Sequence, residues 1–426
     1  VVVRRPAVVR HELNEEWLAD QAAPLPSAEA VNICNAVVFS AVALAACYLV
    51  MAAAFLKLRY SDPDTPRPYR VPGGQVGAWI TSLLVFGFIA YVPHSKYLHM
   101  LAGPFNVLLR PDRPCGEIAP LDLEKAERFG IEKVADFTWK DNLDAFACME
   151  CGRCQDACPA FASGKPLSPK MILFNQERRL LKERQALLSG KGGEGEPLMP
   201  GTFGDGEVWT CTTCGACMHV CPVEIEHISK IVGLRQGRVL MESKFPSELA
   251  ATFRNMETNS NPWGIGFAER AAWTEGLGIP LVKDAPGADW LFYVGCAGSF
   301  DEEGRKTSAA LASLLKRAGL TFAVLGPEEK CCGDSARRLG NEYLFQQLAA
   351  ENCAALLRYG VKRIVTACPH GFNVLKHEYP RLLETLSAFP EADKAALRAI
   401  EVVHHSELLN RLLAEGRLSV GSSGPD

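Results

Sequence analysis

Near its front the chain has two stretches with no alternation of apolar and polar positions. Residues 31–56 run for 26 positions without a charge, and residues 76–92 run for 17. The first is long enough to cross a bilayer, which takes about 20 apolar helical residues, while the second is marginal. Tyr48, Trp79, Tyr91 and Tyr97 lie near the ends of these runs, where aromatic anchors are favoured. The pattern predicts a transmembrane helical hairpin over 31–93, with an N-terminal arm at 1–30 that lacks the order of a signal peptide. A buried helix pair in a soluble body is the alternative, disfavoured by the length of the first run. The loop between the runs carries Lys57, Arg59, Arg67 and Arg70, against Lys96, Arg110 and Arg113 beyond the second. Four against three does not decide orientation by the positive-inside rule. The chain opens on Val1, which reads as processing, a fragment or a non-standard start.

Beyond residue 93 the pattern changes. Pro104, Pro111, Pro114 and Pro120 make 94–140 a connector. Helical periodicity is expected at 169–188, 225–241 and 246–255, with a Gly/Pro-rich loop at 189–206. Short apolar runs at 290–294, 321–325 and 363–366 alternate with helical patterns at 306–317 and 341–359. That alternation predicts βαβ units and a parallel sheet. The expected fold is multidomain: a transmembrane α-helical hairpin, an all-α ferredoxin-like dicluster domain over 141–260, a linker at 261–288, and an α/β domain over 289–426.

Composition changes the picture in one respect. The chain has 426 residues, 48% hydrophobic and 22% charged, with a net charge of −4. It is large enough for a substantial core, too apolar for general disorder, and too mildly charged to suggest nucleic acid as a partner. Its 16 cysteines are the outlier. Eight of them fall in two short windows, whereas a disulfide scaffold would be small and spread them through the fold.

Cys148, Cys151, Cys154 and Cys158, followed by Pro159, have the spacing C-x₂-C-x₂-C-x₃-C-P. Cys211, Cys214, Cys217 and Cys221, followed by Pro222, repeat it. Four thiolates hold a cubane of four irons and four sulfides. Three come from one tight loop, and the fourth cysteine of each run crosses to the other cluster. The expected ligand sets are therefore Cys148, Cys151, Cys154 and Cys221 for one [4Fe–4S] cluster, and Cys211, Cys214, Cys217 and Cys158 for the other. Structural zinc sites are the alternative, but they use wider pairs and need neither the third and fourth cysteines nor the proline. Two adjacent clusters make a wire for single electrons.

A third set comprises Cys296, Cys331, Cys332 and Cys368, delivered by three segments that end or follow strand-like runs. Loops at the carboxyl ends of parallel strands build the sites of open α/β sheets. This set is therefore a candidate third iron–sulfur or other metal centre, with buried packing cysteines as the alternative. His370 reads as a helix-turn residue rather than a ligand. His94 and His99 are candidate haem ligands, but a second axial ligand is needed and residues 31–93 hold no histidine. Haem b is not expected from this chain alone. Cys34 and Cys47 read as packing residues, Cys115 and Cys353 have no sequence partners, and His404-His405 reads as a capping region.

Several stretches carry a family resemblance: HSKYLHMLAGPFNV, ACMECGRCQDACPA, GKPLSPK, WTCTTCGACMHVCPV, NPWGIG, FYVGCAGSFD, EEKCCGDSARRLGNEYLFQQLA, TACPHGFNVLKHEYP and HHSELL. From about His94 onward the chain resembles iron–sulfur oxidoreductases related to the D-subunit of heterodisulfide reductase. The resemblance is to membrane-bound members that link electron-transfer flavoprotein to menaquinone. It implies two cubane clusters, cysteine-rich CCG domains, a flavoprotein electron donor, and a quinone or haem b membrane subunit as partner. It also implies a multi-pass cell-membrane location with the iron–sulfur domains cytoplasmic. A thiol–disulfide reductase module using the CCG centre is the alternative function. Two departures bear on the third centre. The family pattern ends in CPHC, and here Gly371 takes the place of the last cysteine. A second CCG domain is expected after HHSELL but is absent from the sequence, which ends at Asp426. Residues up to about 92 resemble instead a helix pair of amino-acid permeases, and are expected to be a join foreign to the rest.

Overall fold

A computed structural model describes residues 74–92, 95, 97–111, 114–189 and 195–419, together with Lys57 and Ser61. The described chain divides into two units, one ending at Arg110 and the other beginning at Pro111. The first apolar run, the arm at 1–30, Cys34, Cys47, His94 and the permease-like stretch up to residue 73, apart from Lys57 and Ser61, lie outside the described residues. The second run forms helix Gly74–Tyr91, followed by helix Leu98–Leu108. Trp79, Leu83, Leu84 and Phe88 of the first helix and Met100, Phe105 and Leu108 of the second are exposed. Among the described residues no helix is long and apolar enough to cross a membrane, so the expected hairpin is not among the described elements.

The unit from Pro111 onward joins a helical, cysteine-rich part to an α/β part. Local chemistry starts its helices where the sequence directs. Thr138 and Asp141 form a capping box on helix Trp139–Ala147. Ser168 caps helix Pro169–Leu188, whose Pro169 occupies the first turn, where a missing N–H costs nothing. Helix His227–Gln236 continues as a π-turn to Met241, and helix Ser247–Asn259 follows.

The α/β part has four parallel strands: β1 (Trp290–Phe292), β2 (Phe322–Ala323), β3 (Arg363–Thr366) and β4 (Glu401–His404), in the order β2-β1-β3-β4. The strand period of two sorts the side chains. Leu291, Tyr293, Ala323, Ile364 and Val402 enter one apolar cluster, which includes Phe345, Leu348 and Leu356 of helix Glu342–Arg358. Trp290, Phe292, Phe322, Val365 and Val403 enter a second, which includes Leu311 and Leu315 of helix Glu302–Arg317 and Leu408 and Leu412 of helix His405–Ala414. Helices on both faces therefore bury the sheet. β1 and β2 are shorter than the apolar runs that predict them. β4 was not expected, because its apolar core is only the pair Val402-Val403. His404 is the N-cap of the last helix but makes no side-chain cap bond, and its ring instead meets the Ser406 hydroxyl at 2.7 Å.

The two parts are tightly joined. Gln346 donates to the Leu121 carbonyl at 2.6 Å, and Arg338 to that of Gly116 at 3.0 Å. Gly340 lies at φ 89°, and a Cβ there would sit 2.5 Å from the Arg235 carbonyl carbon. Only glycine allows this approach. Gly340→Ala is therefore expected to destabilise the protein by about 1–3 kcal/mol or more through strain at that junction. The measurement is thermal unfolding together with limited proteolysis between the parts, and an unchanged Tm would contradict it.

Candidate metal centres

Two cavities gather the eight windowed cysteines. One is lined by Cys148, Cys151, Cys154 and Cys221, with Lys170 and His227 beside them. The other is lined by Cys158, Cys211, Cys214 and Cys217, against Leu167, Ile228 and Ile231. Each cup takes three cysteines from one window and the fourth from the other. The cups adjoin closely enough for Cys154 and Cys158 to act electrostatically on Cys217. Gly152 and Gly215, at φ 85° and 80°, turn the chain inside each window and open helices Arg153–Asp156 and Ala216–His219. Backbone amides point inward, Thr213 donating to the Cys211 sulfur at 3.3 Å and Ile225 to that of Cys221 at 3.5 Å.

Burial pushes the Cys148 thiol up to about 11 and that of Cys154 up to about 12, and it raises Cys211, Cys217 and Cys221 as well. Such thiols keep their protons at neutral pH until a cationic centre displaces them, so loading a metal group here releases protons. Among the described residues no group of three or more His, Cys, Asp or Glu is placed to hold a single metal ion. A cubane spreads its thiolates around a cage, and a four-thiol cup walled by amides and apolar side chains fits that group.

Behind the first cup lies a buried ionic network. The Lys230 ammonium, with 0% of its side chain exposed, meets Asp144 at 2.5 Å and Asp141 at 3.1 Å, and donates to the Glu226 carbonyl. Asp144 also takes Lys140 at 2.6 Å and the Glu226 amide at 3.2 Å. Asp141 and Asp144 lie on the helix that ends just before Cys148, and Lys230 on the helix that starts just after Cys221. The network thus holds together the two chain segments that must meet at one cup. Its members were not singled out in the sequence, where acid and lysine are 86 positions apart. His227, fully buried, has its Nδ1 at 3.2 Å from the Ile225 carbonyl, and burial drops its pKa to about 4, so it stays neutral.

The third cysteine set also converges. Cys331 and Cys332 are buried, and Cys296 and Cys331 act electrostatically on one another. Cys368, at the start of helix Pro369–Asn373, acts electrostatically on Cys332 and accepts the Gly371 amide at 3.4 Å. Gly333 donates to the Cys331 sulfur at 3.5 Å. Sequence reasoning missed Arg270. Its buried guanidinium donates to Glu329 at 2.9 Å and to the Ser260 carbonyl at 2.7 Å, and reaches the Cys296 sulfur at 3.6 Å. Glu329 in turn accepts the Val294 and Gly295 amides, both at 2.9 Å. The His370 Nδ1 lies 3.9 Å from the Cys368 sulfur. Cys353 is buried in the sheet core, and the Cys115 thiol lies 3.6 Å from the Gly215 carbonyl beside the second cup. His99 lies in helix Leu98–Leu108 of the first unit.

Residues 144–225 match the 4Fe-4S dicluster domain, and residues 290–376 match the Cysteine-rich domain called CCG. The EtfAB:quinone oxidoreductase of Syntrophomonas wolfei is 40% identical over 366 residues, which is 80% of this chain and 49% of that protein. A probable membrane-anchored ferredoxin of Chromohalobacter salexigens is 38% identical over 370 residues, 80% of this chain and 53% of the other. The D-subunit of the dihydromethanophenazine:CoB–CoM heterodisulfide reductase of Methanosarcina barkeri is 29% identical over 284 residues, 65% of each. No solved structure matches. The chain is thus an iron–sulfur protein built from a dicluster domain and a cysteine-rich α/β domain. It is similar to oxidoreductases that include the D-subunit of heterodisulfide reductase, the resemblance its motifs carry. It spans about half the length of the first two of these relatives.

Burial alone would raise the Asp144 carboxyl, but Lys230 and Lys140 overcome it and hold it below its ordinary value of 3.8. A depressed carboxylate contributes stability above the unfolded value and loses it as pH falls through the folded one. Removing one partner of a buried pair costs about 3–5 kcal/mol, so Asp144→Asn is expected to lose that much in urea unfolding near neutral pH. The wild-type advantage is expected to shrink below about pH 4. At Gly371 a Cβ would meet Thr366 and Tyr293 at an ordinary 3.5 Å, and φ is not positive. Gly371→Cys is therefore expected to fold with a Tm close to wild type. A large loss would show that the site has closed over the missing thiol.

Proposed function

We propose that the chain is a membrane-associated iron–sulfur oxidoreductase subunit, carrying electrons from a flavoprotein donor toward the quinone pool or a haem b partner subunit. The observation that carries this reading is the pair of adjoining four-thiol cups. Cys148, Cys151, Cys154 and Cys221 would hold one [4Fe–4S] cluster, and Cys158, Cys211, Cys214 and Cys217 the other. Bound there, the clusters would supply one-electron transfer between donor and acceptor. The chain's own residues bury Cys154, Cys158 and Cys217, aim backbone amides at the sulfurs and hold the two cups side by side. The flavoprotein and quinone are drawn from the relatives' names, and the membrane from those names and from residues 31–93. Haem is assigned to the partner rather than to His94 and His99, because residues 31–93 contain no histidine.

A second reading, a thiol–disulfide centre, is favoured by the convergence of Cys296 and Cys331 beside the Arg270 guanidinium. One measurement separates the two. The full chain is extracted in detergent, reconstituted with iron and sulfide without oxygen, and followed by EPR during a redox titration. The wire predicts two interacting cubane signals, iron and labile sulfide sufficient for both, and loss of one signal in Cys221→Ser. An additional signal from the oxidised protein would favour the thiol–disulfide reading. Zinc without reversible reduction would defeat both.

A further inference from the structure

The internal repeat makes the two cups near-equivalent in backbone. Glu150 and Thr213 lie at φ 54° and 53°, and Gly152 and Gly215 at 85° and 80°. In each window the first cysteine takes the amide of the residue two positions on. What distinguishes the cups is side-chain charge. Beside the first cup Lys140 and Lys230 are matched by Asp141 and Asp144. The ions behind this cup therefore cancel, two ammonium groups against two carboxylates. Lys170 and Arg153 line this cup too, but from half-buried and exposed positions where water and salt screen them.

The second cup has Arg235, whose side chain is 1% exposed. Its Nε and Nη2 donate to the Val208 carbonyl at 3.1 and 2.7 Å. Nη2 also donates to the carbonyl of Cys211, and Nη1 to that of Arg338, both at 2.7 Å. Every one of these partners is a neutral carbonyl, and among the described residues no carboxylate pairs with it. A guanidinium buried without a counter-anion is costly, so its charge is left for an anionic group beside it to balance. Arg338, which receives one of its bonds, belongs to helix Asp334–Arg338 directly after Cys331, Cys332 and Gly333. Arg235 therefore stands between the second cup and the cysteine-rich α/β domain.

We propose that Arg235 is the counter-charge of the cluster held by Cys158, Cys211, Cys214 and Cys217, making it the higher-potential member of the pair. This rests on the two-cluster reading above. Reduction adds one electron, and so one negative charge, to a cluster. A fixed buried cation beside it stabilises the reduced state, because net charge and burial set such potentials. An electron on the pair then rests at the cup that faces the α/β domain, rather than at the one backed by Asp144. Arg235 is a positioning residue in this scheme, and its charge is the property that matters.

The test is an EPR-monitored redox titration of the reconstituted full chain. In Cys221→Ser, which keeps the second cup's ligands, the surviving cluster is expected to titrate at the higher of the two wild-type midpoints. Survival at the lower midpoint would overturn the proposal. Arg235→Met is expected to move that midpoint to a more negative potential and leave the other in place, whereas Arg235→Lys keeps it near wild type. A midpoint that falls as far in Arg235→Lys as in Arg235→Met, or moves in neither, would also overturn it. If Arg235→Met does not fold, Cys221→Ser and Arg235→Lys still decide. Absence of any reversible cubane signal in the wild type would instead sink the two-cluster reading itself.

Discussion

The contact on which the cysteine-rich part depends is the Lys230 ammonium buried between Asp141 and Asp144. A cup built from both windows requires the segment before Cys148 and the segment after Cys221 to meet. Backbone periodicity does nothing to bring them together, and apolar packing alone would allow the helices to slide. A buried ion pair has a narrow geometry, because a displaced partner leaves a charge without water or counter-ion. Lys140 and the Glu226 amide complete the coordination of Asp144, so the network is satisfied rather than half-made. The two helices are thereby held in register at the point where ligands from both windows converge.

The same logic recurs at the junction with the α/β part, with a different balance. Arg235 is satisfied entirely by carbonyls, and Gly340 lets the neighbouring turn approach its backbone. At the third centre the guanidinium of Arg270 is neutralised in the usual way, by Glu329, and only its remaining edge faces Cys296. The three cysteine sites thus differ less in their sulfur than in the charge set behind it. The first is backed by balanced ions, the second by an unpaired cation, and the third by a paired one. Charge near a redox group acts strongly in a buried setting, so this ordering is a functional property of the fold.

Much of the architecture is legible in local pattern. The doubled C-x₂-C-x₂-C-x₃-C-P window, the helices at 169–188 and 225–241, and the strands near 290, 322 and 363 all follow from spacing and period. β4 does not, because two valines between a turn and a pair of histidines carry no period to read. Arg270, Arg235 and the Lys230 network do not either. Each is a single polar residue on a helix or turn, indistinguishable in sequence from a solvated one until the fold removes its water. The apolar front of the chain reads as a membrane hairpin, yet its longer run falls outside the described residues, and no described helix is long and apolar enough to span a membrane.

By itself, then, the sequence determined the chemistry: which thiols occur in metal-binding spacings, which segments become helix or strand, and which family they resemble. Those are local facts, set by covalent spacing and backbone preference. Only the tertiary structure decided which cysteines share a cavity and which charges stand behind them. It also decided that Cys296, Cys331, Cys332 and Cys368 converge around an arginine. Electrostatic influence depends on distance and on exclusion of water, and neither exists until helices far apart in sequence have packed.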